Sequence, residues 1–402
     1  MGNGPPPLPI RELTPRAHTA VLAGVGDLAP STMRIPNANY TDPAVAVVER
    51  RTTFSAPLLV THSSAVPEAG SFLTLDLLGT PVIVVRGGGG KVRVLVNACR
   101  HRGAMVAEGS GCTRRFTCPY HNWAYDTDGA LVGIPDRRQG FDDLDPAAHG
   151  LVELPSEVRH GFVWAVRDPA GVIDVARHLG PLDQELAAWD FDHHEVTATM
   201  ELPLESNWKC ALEAFQETYH FPYVHGGSLV GRGTISNIVT FDQFGRHHRL
   251  GVPLRSLGTG PEPTEGENMT CIYYIHPCSV ISTSPLGAEL LQFYPGSTPA
   301  SSTVRHTVLS RFPLSDDGVA AFFKDYVPQI QAVVRDEDAV VLERSGKGLA
   351  AGHTDVVLGR NEIGCQAAHR QILADYAGAG DAPIAEHAQA RRGLTTTASG
   401  RS

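Results

Sequence analysis

Cys99-Arg100-His101-Arg102-Gly103 and, further along, Cys118-Pro119-Tyr120-His121-Asn122-Trp123 decide how the whole chain is read. Each stretch offers one thiolate and one imidazole, and sixteen residues (102–117) separate His101 from Cys118. Four soft or borderline ligands on two short loops suit a closed metal site. Two thiolates on one iron and two neutral imidazoles on the other describe a [2Fe–2S] centre of raised reduction potential. A zinc ion held by the same four side chains is the competing reading.

Global properties frame that site. A length of 402 residues suggests two or three domains with sizeable cores. Hydrophobic content of 42% and charged content of 19% are ordinary for a globular protein. A formal charge of −10 disfavours nucleic acid as a partner. Apolar runs such as Ala44-Val45-Ala46-Val47-Val48 are too short to span a bilayer, so no membrane is expected. Met1-Gly2-Asn3-Gly4-Pro5-Pro6 carries no export pattern. Seven cysteines, an odd number, argue against a disulfide framework and for the reducing cytoplasm. Cys112, Cys210, Cys271, Cys278 and Cys365 have no pairing pattern and read as small buried side chains.

Taken in order, a Pro/Gly-rich leader (1–9) precedes short outer helices within 10–28. Strands are expected at 71–78, 80–86 and 91–97, with Gly87-Gly88-Gly89-Gly90 as a turn. A hairpin turns at Asp126-Thr127-Asp128-Gly129, and 160–166 is a further strand. Asp168-Pro169-Ala170-Gly171 reads as a linker. Beyond it come a strand at 195–204, a helical pattern over 207–219 and a Gly-rich loop at 226–233. Strands return at 271–274, 279–282, 289–294 and 302–311, followed by helices at 319–334 and 366–376. This gives 1–44 as leader and short helices, 45–168 as the metal-loop domain, 169–376 as a second domain and 377–402 as a disordered tail.

The second constellation is Asn207 to His225. On a helix, Glu213, Glu217 and His220 fall at i, i+4 and i+7 and share a face. His225 lies five residues beyond His220, and Pro222 between them breaks the helix so that both imidazoles can converge. Two His plus one carboxylate leave open positions on a non-haem iron(II). Asp336 and Asp338 both offer that carboxylate, and on a helix only one of them can reach the metal. Two ordinary surface histidines beside an acidic face are the plainer alternative.

The motifs Cys-x-His…Cys-x-x-His at 99–121, Asn-Trp-Lys at 207–209 and Glu-x-Tyr-His-x-x-x-x-His at 217–225 resemble the Rieske non-haem iron oxygenases, the ring-hydroxylating α-subunit superfamily. Glu337-Asp338, with Glu343 and Gly348-Leu349 beyond, is similar to the choline and glycine-betaine monooxygenase branch. The resemblance implies an α+β fold: a small antiparallel β Rieske domain plus a helix-grip (START-like) catalytic domain with a long antiparallel sheet. It implies Cys99, His101, Cys118 and His121 as cluster ligands, and His220, His225 and Asp338, rather than Asp336, as ligands of a mononuclear iron. Glu217 takes the position of the acid that joins the cluster of one subunit to the iron of the next; the plainer alternative is that it only orients His220. A homotrimer, or a multiple of one, follows from the same resemblance.

The resemblance implies electrons from NAD(P)H through a separate reductase, with or without a ferredoxin, and no dinucleotide fingerprint occurs in this sequence. The expected activity is O2-dependent hydroxylation of a small organic molecule, either an aromatic or other apolar ring or an amine. Phe215, Tyr273, Ser282 and Phe293 are candidate pocket residues. Demethylation or hydroxylation of a quaternary ammonium compound is the alternative, although no aromatic cluster suited to caging such a cation stands out. A non-catalytic electron-transfer protein is the alternative of another class.

Overall fold

A computed structural model describes residues 8–264 and 268–378, which form two compact units. The leader up to residue 7 and the tail from residue 379 lie outside the described residues. One unit comprises residues 57–178 and 190–196, the other residues 8–56, 179–189 and 197–378.

The smaller unit is built from three antiparallel sheets. The largest runs in the order Glu153–Leu154, Val92–Val96, Thr80–Arg86, Ser71–Leu77 and Ser110–Cys112. Val82, Ile83, Val84 and Val85 are all buried, so the central strand is covered on both faces. A second sheet pairs Ser156–Arg159, Phe162–Ala165 and Leu58–His62; a third pairs Arg115–Thr117, Ala124–Asp126 and Leu131–Gly133. The Asp126 carboxylate accepts from the backbone N–H of Asp128 and Ala130, which sets the tight turn before Leu131. Ile83, Val85, Leu95, Phe116, Trp123 and Tyr125 form the core beneath the two metal loops.

The larger unit is organised on a seven-stranded antiparallel sheet. Its order is Glu195–Leu204, Ser302–Ser310, Gly287–Pro295, Ser279–Ser284, Met269–Ile275, His247–Pro253 and Thr240–Phe244. Every pairing after the first strand is between chain neighbours, a meander closed by one return. Trp208–Ala214 and Ile363–Gly378 pack on this sheet. Asp317–Ala332 is capped by Asp316, whose carboxylate accepts from the N–H of Gly318 and Val319.

Three expectations need correction. The boundary at residue 45 splits Pro43–Arg51, a helix that belongs with the larger unit. Its buried Glu49 accepts from Trp208 Nε1 (2.9 Å), Tyr376 Oη (2.6 Å) and the Lys209 ammonium, so polar bonds fix it there. The helix expected over 207–219 stops at Ala214. Cys112 is exposed rather than buried, because its strand is the edge of a sheet; none of the seven cysteines forms a disulfide. Among the described residues no helix is long and apolar enough to cross a membrane.

Candidate metal centres

In the smaller unit each loop closes on its own cysteine. Gly103 N–H donates to Cys99 O (2.9 Å) with Gly103 at φ +77°, and Asn122 N–H donates to Cys118 O (3.0 Å) with Asn122 at φ +57°. Such left-handed residues suit Gly and Asn and let a five-residue turn double back. Cys99 and Cys118 are buried, whereas His101 is half-buried and His121 exposed. The two imidazoles are 4.7 Å apart between ring centroids. Trp123 stacks on His101 and Tyr120 on His121, which restricts both rings. Tyr125 Oη accepts from Arg100 N–H (2.9 Å) and faces Cys99 Sγ at 3.3 Å, leaving its own proton for the sulfur. Burial, and then the bond to Cys99, push that phenol up, which keeps it a donor. Two inner thiols and two outer imidazoles fit the donor set that a [2Fe–2S] cluster of this kind would use.

In the larger unit, His220 and His225 flank one helical turn, Phe221–Val224, with Pro222 in its first turn. Pro222 therefore starts a helix rather than interrupting one. Glu217 and His220 do not share a helix face with Glu213; they lie on the irregular segment after Ala214. The Glu217 carboxylate nonetheless holds His220 Nδ1 and accepts from the backbone N–H of Tyr219 and His220. Asp338 comes from a π-helical segment, Val333–Asp338, between two α-helices, a distortion often found at functional sites.

The three ligand atoms of His220, His225 and Asp338 lie within 4.8 Å of one another. His225 Nε2 is 3.1 Å from His220 Nε2 and 3.1 Å from Asp338 Oδ1; His220 Nε2 is 3.6 Å from that oxygen. Both Nδ1 atoms are engaged by acids, His220 by Glu217 and His225 by Glu337 (2.7 Å). With the protons fixed on Nδ1, two Nε2 lone pairs and a carboxylate oxygen face one point. That set repels itself without a cation, so these residues fit a divalent metal. Burial pulls the His220 imidazole down, but bonds to Asp338 and Glu217 outweigh it and raise it to about 9, so a proton competes for the Nε2 position that a bound cation would take. Asp338 is drawn below the usual carboxylate range: burial pushes it up, and both imidazoles more than offset this. Asp336 is exposed and paired with Arg335, away from the cluster.

Two cavities meet at these residues. One, about 460 Å³, is lined by Glu213, Glu217, His220, Asp338, Glu362 and Cys365 among others. Glu213 accepts there from Tyr40 Oη (2.9 Å) and His369 Nδ1 (3.1 Å), a role in fixing helices. The other, about 90 Å³, lies against the sheet and includes Phe215 and Ser282. Phe293 is not in its lining but packs on Phe215 at 5.2 Å. Tyr273 does not line it either: the two-residue period of its strand turns Ile272 inward and Tyr273 to the other face, bonded to Trp189 Nε1 (2.7 Å) and Glu185 (2.7 Å). Glu337, Glu289 and Ile272 were missed; only the Glu337-Asp338 pair carried a signal, while the other two needed strand register.

Residues 56–155 match the Rieske [2Fe–2S] domain and residues 191–378 the catalytic domain of the ring hydroxylating alpha subunit. The chain belongs to the Rieske ring-hydroxylating oxygenase α-subunit family. The two domains of this family carry a [2Fe–2S] cluster and a mononuclear iron. The glycine betaine monooxygenase oxygenase subunit of Chromohalobacter salexigens is 34% identical over 194 residues, 48% of this chain and 43% of that protein. The biphenyl 2,3-dioxygenase subunit alpha of Rhodococcus jostii is 34% identical over 196 residues, 47% of this chain and 42% of that protein. The matched stretch thus spans less than half the length of either relative. The crystal structure of the quaternary ammonium Rieske monooxygenase CntA with an inhibitor shares the fold, with a TM-score of 0.73 at 21% identity, covering 86% of this chain and 96% of that one.

Proposed function

We propose that this chain is the terminal oxygenase of a Rieske-type system, hydroxylating a small organic substrate with O2 and electrons from NAD(P)H. The observation that carries the reading is the convergence of His220 Nε2, His225 Nε2 and Asp338 Oδ1 on one point, in a chain that also bears the Cys/His loops. In this reading His220, His225 and Asp338 hold the iron(II), while Cys99 and Cys118 hold one cluster iron and His101 and His121 the other. The bound metals supply electron storage and oxygen activation. Glu217 and Glu337 keep each Nδ1 protonated and each Nε2 free for the metal. The apolar wall of Phe215, Phe221, Val230 and Leu291 positions the substrate and excludes water.

A separate reductase, with or without a ferredoxin, delivers the electrons. Glu217 is 8% exposed and lines the larger cavity, a placement that suits a link from the cluster of a neighbouring subunit in a homotrimer. Relatives named for glycine betaine and for biphenyl leave both amines and aromatic rings as substrate classes. The test is a substrate screen with a surrogate reductase, read by product mass and O2 uptake. Oxygen incorporation coupled to NAD(P)H supports the reading. Iron confined to the Cys/His loops, with no coupled product, makes the chain an electron carrier instead.

A further inference from the structure

The 90 Å³ cavity against the sheet has a second polar end. Most of its wall is apolar, with Ile272, Val280 and Leu291 from the strands and Ile330, Val333 and Val334 from the helix opposite. Among the described residues, and apart from the metal cluster and the adjoining Glu217, its polar lining side chains are Ser282 and Glu289 alone, and no described Lys or Arg lines it. Ser282 and Glu289 are direct cross-strand partners, so they lie side by side on one face of the sheet.

Glu289 is oriented by its neighbour. Its Oε2 accepts from Nε2 of the fully buried His306 at 2.8 Å. Nδ1 of His306 is buried with no hydrogen-bond partner, so a proton there would be an N–H without an acceptor. The imidazole is thereby suited to donate one hydrogen bond without bringing a full positive charge to the carboxylate. Burial and the nearby Glu289 both push the Tyr326 phenol up, so Tyr326 supplies no charge either. A carboxylate with one oxygen held by a neutral donor, set in an apolar cavity, favours a cation as its counterpart.

We propose that Glu289, oriented by His306, is the specificity-determining counterion for a substrate bearing a cationic nitrogen. The nitrogen sits at the Glu289 end, and the carbon to be oxidised faces the His220–His225–Asp338 end. This rests on the oxygenase reading above. A protonated amine gains a charge-assisted hydrogen bond to the carboxylate, whereas a quaternary ammonium gains Coulomb attraction alone.

Calorimetry on the metal-loaded protein tests this without turnover, using choline, protonated N,N-dimethylethanolamine and the neutral isostere 3,3-dimethylbutan-1-ol. Both cations should bind at least about tenfold more tightly than the alcohol, or 1.4 kcal/mol. Glu289→Gln, which keeps an acceptor for His306, should abolish the preference and leave alcohol binding unchanged; Glu289→Asp should restore part of it. Stronger binding of the protonated amine identifies the hydrogen bond, and equal binding identifies charge alone. Equal affinity for all three compounds, no binding of either cation at millimolar concentration, or a preference that survives in Glu289→Gln overturns the proposal. Loss of the oxygenase reading would appear separately, as missing mononuclear iron or absent O2 uptake whatever the binding order.

Discussion

Asp336 and Asp338 are two positions apart and have opposite surroundings: one is exposed against Arg335, the other is 3% exposed and faces two imidazoles. Asp338→Ala should remove the mononuclear iron and leave the visible spectrum of the cluster unchanged, while Asp336→Ala should keep both; metal analysis with absorption spectroscopy checks this. Glu217→Gln should retain both metals yet lose coupled product by at least about tenfold, and normal coupling in that protein removes the bridging role. The motif, not the spacing, picked Asp338 from the sequence. A π-helical turn shifts the angular positions of residues 333–338, and no α-helical count reproduces that. His248 makes a pH prediction. Complete burial pulls it down to about 3, with Nε2 bonded to Gln216 Oε1 at 2.7 Å. Its folded pKa is depressed, so its full contribution is present above pH 6.5, the unfolded value. As pH falls, the unfolded chain takes up a proton that the folded one refuses, and stability declines until about pH 3. Between pH 7.5 and 5 this one group should lower the unfolding free energy by about 2 kcal/mol. His248→Phe should show a correspondingly shallower dependence in denaturant titrations.

At the scale of elements, five of the seven strands of the larger sheet were legible, and Thr240–Phe244 and His247–Pro253 were not. Its central strands show through β-branched and aromatic runs, such as Cys271 to Ile275. His247–Pro253 is also fully buried but begins His-His-Arg, and no alternation of apolar residues marks it. Arg249 is held there by Glu185 and by Asp242 (2.8 Å), partners found only once the strand and the preceding helices have assembled. The end of Trp208–Ala214 was equally hidden: Gln216 leaves the helix pattern to meet His248, a contact set by the sheet. The Cys/His loops were legible because a metal loop stores its geometry in local spacing. Glu49 offers the test of how helices are tied together. It joins Trp208, Lys209 and Tyr376 across three helices. Glu49→Ala strands the buried Lys209 ammonium and should cost about 3–5 kcal/mol. Glu49→Gln should cost less, and equal losses in equilibrium unfolding would argue that packing alone is at stake.

For the whole molecule, the fold class read from the motifs agrees with the two matched domains, but the borders did not follow composition. Short helices near the start looked peripheral because their partners are more than a hundred residues away in sequence. Leu8–Ala23 packs on the strands at 240–275, and Arg16 bonds Asp242 and the carbonyl of Phe241. A chain cut to the matched catalytic region, 191–378, should therefore be insoluble, whereas residues 57–196 should fold and take up a cluster visible by absorption. On a ribosome this arrangement fixes a sequence of events. The inserted iron–sulfur unit emerges complete while the sheet that the opening helices will cover has not yet been made. Those helices must wait until the strands at 240–275 have been made, so a nascent chain can already be coloured before its larger sheet exists.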